Sequence, residues 1–212
     1  GREREARRAI ALDSGSALGY DLLGIILRAR GRYDESRAAT RRAQELDPLM
    51  PQFVVNEAEA FQDEGRHDAA LQLLRRAIEL DSTYAFAHVR MAYSLMYSGR
   101  SAEAFVEARR GAAMRDRSRF AVAEINARSG RQPDARTMLA ELQADARQRY
   151  VSADGIARIQ LALGDHAGAL ASLERALVER ASGVLWLASR EYDPVRADPR
   201  FVAIVREVGG RR

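Results

Sequence analysis

Cysteine is absent from the 212 residues. Disulfides, thiolate metal sites, iron–sulfur clusters and cysteine nucleophiles are therefore excluded together. Lysine is absent as well, since all 34 basic residues are arginine. A phosphate-cradling Gly-x-x-x-x-Gly-Lys-Ser/Thr loop cannot be built without it. Proline occurs five times, at 48, 51, 133, 194 and 199, and glycine fifteen times. That is too little of either for a disordered or fibrous chain, and each proline falls where a turn or a first helical turn tolerates it. No apolar run approaches the ~18 residues that span a bilayer, and the opening residues do not read as a signal peptide. The expected compartment is the cytoplasm, or the periplasm or beyond if a membrane span precedes this segment. The three histidines, His67, His88 and His166, form no His-x-x-x-His pair, and no Gly-x-Ser-x-Gly elbow occurs. No metal, cofactor or catalytic residue is expected.

What is present is alanine, 39 residues of it. Alanine is the best helix former, so helices broken by short turns should dominate. Charges of both signs alternate, as in Arg2-Glu3-Arg4-Glu5, and the net charge is only +4. That pattern favours solvated helix faces over a nucleic-acid surface. One stretch is richer in one sign: between residues 100 and 131 eight arginines stand against four acids. It keeps an acidic or phosphate-bearing partner open as an alternative.

Five turns align along the chain: Gly31-Arg32-Tyr33-Asp34, Gly65-Arg66-His67-Asp68, Gly99-Arg100-Ser101-Ala102, Gly130-Arg131-Gln132-Pro133 and Gly164-Asp165-His166-Ala167. Their glycines are separated by 34, 34, 31 and 34 residues. Seven residues before them stand Gly24, Ala58, Ala92, Ala123 and Ala157. Five after them stand Ser36, Ala70, Ala104, Ala135 and Ala169, and twelve after them Ala43, Ala77, Gly111, Leu142 and Ala176. Two antiparallel helices joined by a tight turn approach closely only where both present small side chains. Glycine after the first helix supplies the positive φ of its C-terminal turn. A helix pair with apolar surface on both sides cannot close a core alone, so neighbours stack into a solenoid.

This pattern resembles the tetratricopeptide repeat (TPR), a 34-residue helix–turn–helix unit with small residues at its eighth and twentieth positions. The resemblance covers about residues 17–180. It implies an all-α, right-handed TPR superhelix (an α-solenoid) of antiparallel helix pairs with a C-terminal capping segment. Residues 1–14 read as the second helix of a truncated leading repeat or an N-terminal cap. Residues 15–181 hold five repeats, starting near Ala17, Pro51, Ala85, Asp116 and Tyr150. Residues 182–212, with the sole tryptophan, Trp186, form the cap. The turn after the third repeat is expected to be three residues shorter than the others. Gly15-Ser16 reads as helix capping. Residues 193–201 are similar to the tail that follows the repeats in bacterial signalling and transcriptional regulators. That similarity implies a sensory or scaffolding arm of a larger regulator.

The family resemblance also implies where a partner docks. In such repeats the second, fifth, ninth, twelfth and thirteenth positions of the first helix line the concave groove. In the third repeat these include Phe86, Val89, Tyr93, Met96 and Tyr97, while His88, Met91, Ala92 and Leu95 face the core. That helix is apolar nearly all round, which leaves groove and core both open for its aromatic stripe. Asn56, Glu59, Asp63, Arg90, Phe120, Glu124 and Arg128 complete the candidate partner-binding set, and the fifth repeat adds Val151 to the groove. Tyrosine and methionine suit recognition of a peptide or helix with an apolar anchor. The partner is expected to be a protein or peptide and nucleic acid is not expected. A carboxylate clamp for a chaperone tail is not expected either, since only Asn56 and Arg90 match it. Self-association through the N-terminal end is the alternative, because Ile10 and Leu12 lack a covering neighbour there.

Overall fold

The computed structural model describes residues 1–114, 119–181, 187 and 189–210. Among these residues there are twelve α-helices and no strand. The chain divides into two compact units, Gly1–Ser118 and Arg119–Arg212.

The first unit holds α1 (Arg2–Leu12), α2 (Ala17–Arg28), α3 (Tyr33–Leu46), α4 (Pro51–Asp63), α5 (His67–Leu80), α6 (Ala85–Tyr97) and α7 (Ser101–Met114). The pairs α2/α3, α4/α5 and α6/α7 are hairpins, and the first helices also pack in series, α2 on α4 and α4 on α6. Each hairpin turns on the expected glycine, with φ of 73° at Gly31, 77° at Gly65 and 76° at Gly99. The amide after each glycine returns to the helix it leaves: Arg32 N–H donates to the Leu27 carbonyl at 3.0 Å, and Arg66 N–H to that of Phe61 at 2.8 Å. This is the Schellman arrangement, which satisfies otherwise orphaned carbonyls at the helix end. The small positions are where the helices meet: Ala58, Ala70, Ala92 and Ala104 are wholly buried. At Gly24 the approach is tight. A Cβ there would lie 2.6 Å from Thr40 Cγ2, and Ser36 Oγ donates to the Gly24 carbonyl at 2.8 Å.

Ser16 caps α2 as expected, its Oγ accepting from the Gly19 N–H at 3.2 Å. Helix α1 packs on α2, with Ala6, Leu23, Leu27 and Ala39 buried and Ile10 and Ile26 against them. Ile10 is thus covered on the α2 side. Leu12, Leu18 and Leu22 do remain exposed.

The second unit holds α8 (Arg119–Arg128), α9 (Gln132–Asp145), α10 (Ala153–Ala162), α11 (His166–Val178), a 3₁₀ turn (Arg190–Val195) and α12 (Pro199–Gly210). One expectation is corrected here. The fifth first helix starts at Ala153 rather than near Tyr150, while the expected start near Asp116 lies outside the described residues. Residues 115–118, which precede the described start of α8, lie outside the described residues. Second helix α9 keeps the 14 residues of α3, α5 and α7. The connection 146–152 is three residues longer than 47–50 and 81–84, and α10 is shorter by as much, with 10 residues against 13 in α4 and α6.

The C-terminal segment closes over α10 and α11. Tyr192 and Phe201 are buried and stack with ring centroids 5.8 Å apart. With Leu187, Val195, Ile204 and Val208 they join Leu170, Leu173 and Leu177 in one core. Burial pushes the Tyr192 hydroxyl well above its ordinary titration range. Trp186 lies outside the described residues.

Helix α11 ends in the same motif as the first helices, with Ala181 N–H donating to the Ala176 carbonyl at 2.9 Å. The residue forced to positive φ is here Arg180, at 54°, and not glycine. A side chain in that region costs about 1–2 kcal/mol, partly offset because glycine loses more freedom on folding. Arg180→Gly is expected to raise the unfolding free energy by about 0.5–1 kcal/mol. Urea denaturation measures it. A loss of stability would mean that the Arg180 side chain contributes more than its backbone strain costs.

Candidate partner-binding face

Helix α6 separates its two stripes only in part. His88, Met91, Ala92 and Leu95 are buried, as the core stripe requires. His88 is tied on both nitrogens, Nδ1 to Glu107 Oε2 at 2.7 Å and Nε2 to the Ser82 carbonyl at 3.0 Å. Of the five aromatic and aliphatic candidates, the structure leaves Phe86 (39%) and Tyr97 (42%) open to solvent and buries Val89, Tyr93 and Met96. The causes are local. Val89 fills the space left by Gly111, where an added Cβ would come within 2.9 Å of Val89 Cγ2. Tyr93 lies under the Arg90 guanidinium, 5.7 Å from its ring centroid. The same guanidinium stands 5.9 Å from the Phe86 ring, and Tyr97 stacks on His67 at 5.3 Å.

The polar candidates turn mostly inward, from one first helix to the next. Glu59 is buried, pairs with Arg28 of α2, and meets Arg90 Nε of α6 at 3.0 Å. Asp63 lies 3.7 Å from Arg28 Nε. Asn56 donates to Asp21 Oδ1 at 2.7 Å, and Gln52 to Asp21 Oδ2 at 3.3 Å. Gln62 Nε2 donates to the Arg90 carbonyl at 2.7 Å and to Ser94 Oγ at 2.6 Å. Asn56 and Arg90, the two residues matching a carboxylate clamp, are thus held by Asp21 and Glu59.

The second unit repeats the motif of a buried acid between two arginines. Glu124 is wholly buried, 3.1 Å from Arg128 Nε and 3.9 Å from Arg158 Nη1. Phe120 packs on Gly155, where an added Cβ would sit 2.6 Å from its ring. Val151, read from the sequence as a groove residue on a first helix, instead lies in the connection before α10 and is buried there. Helix α10 starts three residues later than the repeat count places it.

The arginine-rich stretch is largely neutralised at short range. Arg100 pairs with Glu103 at 2.6 Å, Arg110 with Glu107 at 2.6 Å, and Arg119 with Glu141 and Asp145, each at 3.1 Å. Arg115 and Arg117 lie outside the described residues. Among the described residues no group of three or more His, Asp or Glu could hold a metal ion, and no helix is long and apolar enough to cross a membrane. Sequence reasoning missed the connection 146–152 altogether. Its signal was Arg147-Gln148-Arg149-Tyr150, a basic and aromatic run beyond the end of a helix.

Burial holds the Asp21 carboxyl above its ordinary value of 3.8, against the opposing hydrogen bonds from Asn56 and Gln52. A raised value in the folded state means that the bound proton stabilises the fold. That contribution is fully present below the unfolded value and is lost as pH rises through the folded one. The stability difference between Asp21→Asn and the parent should therefore move in the variant's favour from pH 4 to pH 7. Denaturation midpoints of both proteins at the two pH values measure it; a difference independent of pH would show Asp21 to be solvated.

Comparisons with known proteins match this architecture. The tetratricopeptide repeat family profile matches residues 22–85. Small glutamine-rich tetratricopeptide repeat-containing protein 2 of Mycosarcoma maydis is 35% identical over 72 residues, which is 34% of this chain and 20% of that protein. The chain thus spans about a fifth of that relative's length. Among solved structures, TTC0263, a thermophilic TPR protein of Thermus thermophilus, superposes with a TM-score of 0.63 at 18% identity, over 91% of this chain and 99% of its own. YrrB, described as a TPR protein with an unusual peptide-binding site, gives 0.51 at 16% identity over 86% and 96%. At these identities the likeness is one of fold: all-α, of the TPR solenoid class.

Proposed function

We propose, from the premise that this chain carries tetratricopeptide repeats, that it is a non-catalytic recognition module binding a peptide or helix of a partner protein on its first-helix face. The observation that carries the reading is the pair of open aromatics on α6. Phe86 and Tyr97 are large, exposed and eleven residues apart. At 1.5 Å per residue that is about 16 Å along one helix, or about five residues of extended peptide. The Arg90 guanidinium beside Phe86 pairs with the buried Glu59 at 3.0 Å, so its charge is balanced next to that apolar anchor. Aromatics of this kind supply most of the binding energy at recognition surfaces. The fold shared with YrrB agrees with peptide binding, and the resemblance of residues 193–201 to regulator tails supports a sensory or scaffolding arm.

The test is selection from a displayed library of twelve-residue peptides. Selected sequences are expected to carry two apolar side chains about five residues apart. Binding should fall sharply in the Phe86→Ala/Tyr97→Ala double variant while its helical circular dichroism is unchanged. Equal binding by parent and variant would remove this face from the function.

A further inference from the structure

The α9–α10 connection, residues 146–152, is three residues longer than 47–50 and 81–84, and α10 is shorter by as much. Extra loop on a rigid frame is where proteins carry recognition groups. Here the loop borders, with α11, an open cavity of about 440 Å³. Its lining includes three arginines, Arg147, Arg149 and Arg175, against one carboxylate, Glu179. We propose that this cavity binds a phosphate monoester carried on a flat ring.

Two of the guanidiniums are positioned and one is uncommitted. Arg149 Nη2 is held by Asp145 at 2.6 Å, and Arg175 Nε by Glu179 at 3.2 Å. Each such contact uses only part of the five N–H donors a guanidinium offers. Arg147 is exposed, and its guanidinium meets no acid within ion-pair distance among the described residues. Two of the three guanidiniums are held by Asp145 and Glu179 and keep further donors, and a phosphate monoester presents three strongly accepting oxygens to such forks. Tyr150, 63% exposed, offers its ring at the rim, and Val151 is buried. Those two suit the flat group that bears the phosphate. An open depression of about 440 Å³ is large enough to take one such group. A nucleic-acid strand would instead need a continuous basic track.

The probe is phenyl phosphate, compared with inorganic phosphate and with phenol, each titrated into the whole chain and followed by amide NMR shifts and calorimetry. Phenyl phosphate should perturb residues 146–151 and Arg175 and bind more tightly than either half. Arg147→Ala should weaken it roughly tenfold or more, as loss of a charge-assisted hydrogen bond does. Its unfolding midpoint should not change, since no ion pair of Arg147 is lost. Tyr150→Ala should abolish the advantage of phenyl phosphate over inorganic phosphate. A phosphotyrosine peptide binding more tightly than a nucleoside monophosphate assigns the ligand to a protein, and the reverse order to a free metabolite; both uphold the site. Shifts absent from 146–151, or Arg147→Ala binding like the parent, would overturn it. The Phe86→Ala/Tyr97→Ala variant should bind phenyl phosphate like the parent, which separates this site from the first-helix face.

Discussion

Glu59→Ala is expected to lower the unfolding free energy by about 3 kcal/mol, a large share of the stability of a small helical unit. The reason is what it leaves behind. Glu59 is buried and neutralises Arg28, whose side chain is only 7% exposed, and at the same time meets Arg90 at 3.0 Å. Without it, Arg28 keeps only Asp63, at 3.7 Å. A buried charge stripped of its partner costs far more than the intact pair contributes. Removing Arg28 together with Glu59 should therefore cost much less than the sum of the two single changes. Glu124→Ala is the internal control. Glu124 is equally buried, but its partners Arg128 and Arg158 are 26% and 24% exposed and can turn to water. Its loss should cost about 1–2 kcal/mol, less than the loss of Glu59. Urea unfolding of the four variants measures all of this. A cost below about 1 kcal/mol for Glu59→Ala would show the network to be solvated and the three first helices held by apolar packing alone.

That network also marks the limit of what the sequence discloses. The turn glycines and the small residues around them are dictated by backbone φ and by the closeness of two helices. They recur at fixed offsets and can be read without a structure. The starts of the first three first helices, at Ala17, Pro51 and Ala85, agree with them. The start of α10 does not follow. Glycine fixes where a first helix ends, and nothing in the offsets fixes where it begins, so residues that leave the helix for the preceding connection go unseen. Glu59 reads as a groove residue because its position faces away from its own hairpin. Its burial depends on Arg28 and Arg90, which belong to the helices before and after it and stand at other repeat positions. A periodic reading compares like positions and misses such a cross-repeat partner. For Val89 the missing information was Gly111: a side chain absent from α7 lets a larger one on α6 sink inward.

The same distinction separates the two tyrosines of α6, which helical spacing places on one stripe. Tyr93→Ala should act on folding. Its ring is 6% exposed and covered by Arg90, so truncation leaves a cavity beside a charged group and costs about 3 kcal/mol. Tyr97→Ala should act on binding. Its ring is 42% exposed and its stacking on His67 is worth no more than about 1 kcal/mol to the fold. As an anchor in a partner's contact it should be worth about 2 kcal/mol, or roughly thirtyfold in affinity for a selected peptide. Denaturation midpoints and peptide titrations on the two variants give four numbers. The expected pattern is a lowered midpoint for Tyr93→Ala, with peptide affinity near the parent's under conditions where it remains folded. Tyr97→Ala should show a nearly unchanged midpoint and a large loss of affinity. Were Tyr93→Ala to keep its stability and lose the peptide, the ring would have to leave its place under Arg90 on binding. The recognition face would then be formed by the partner rather than presented to it.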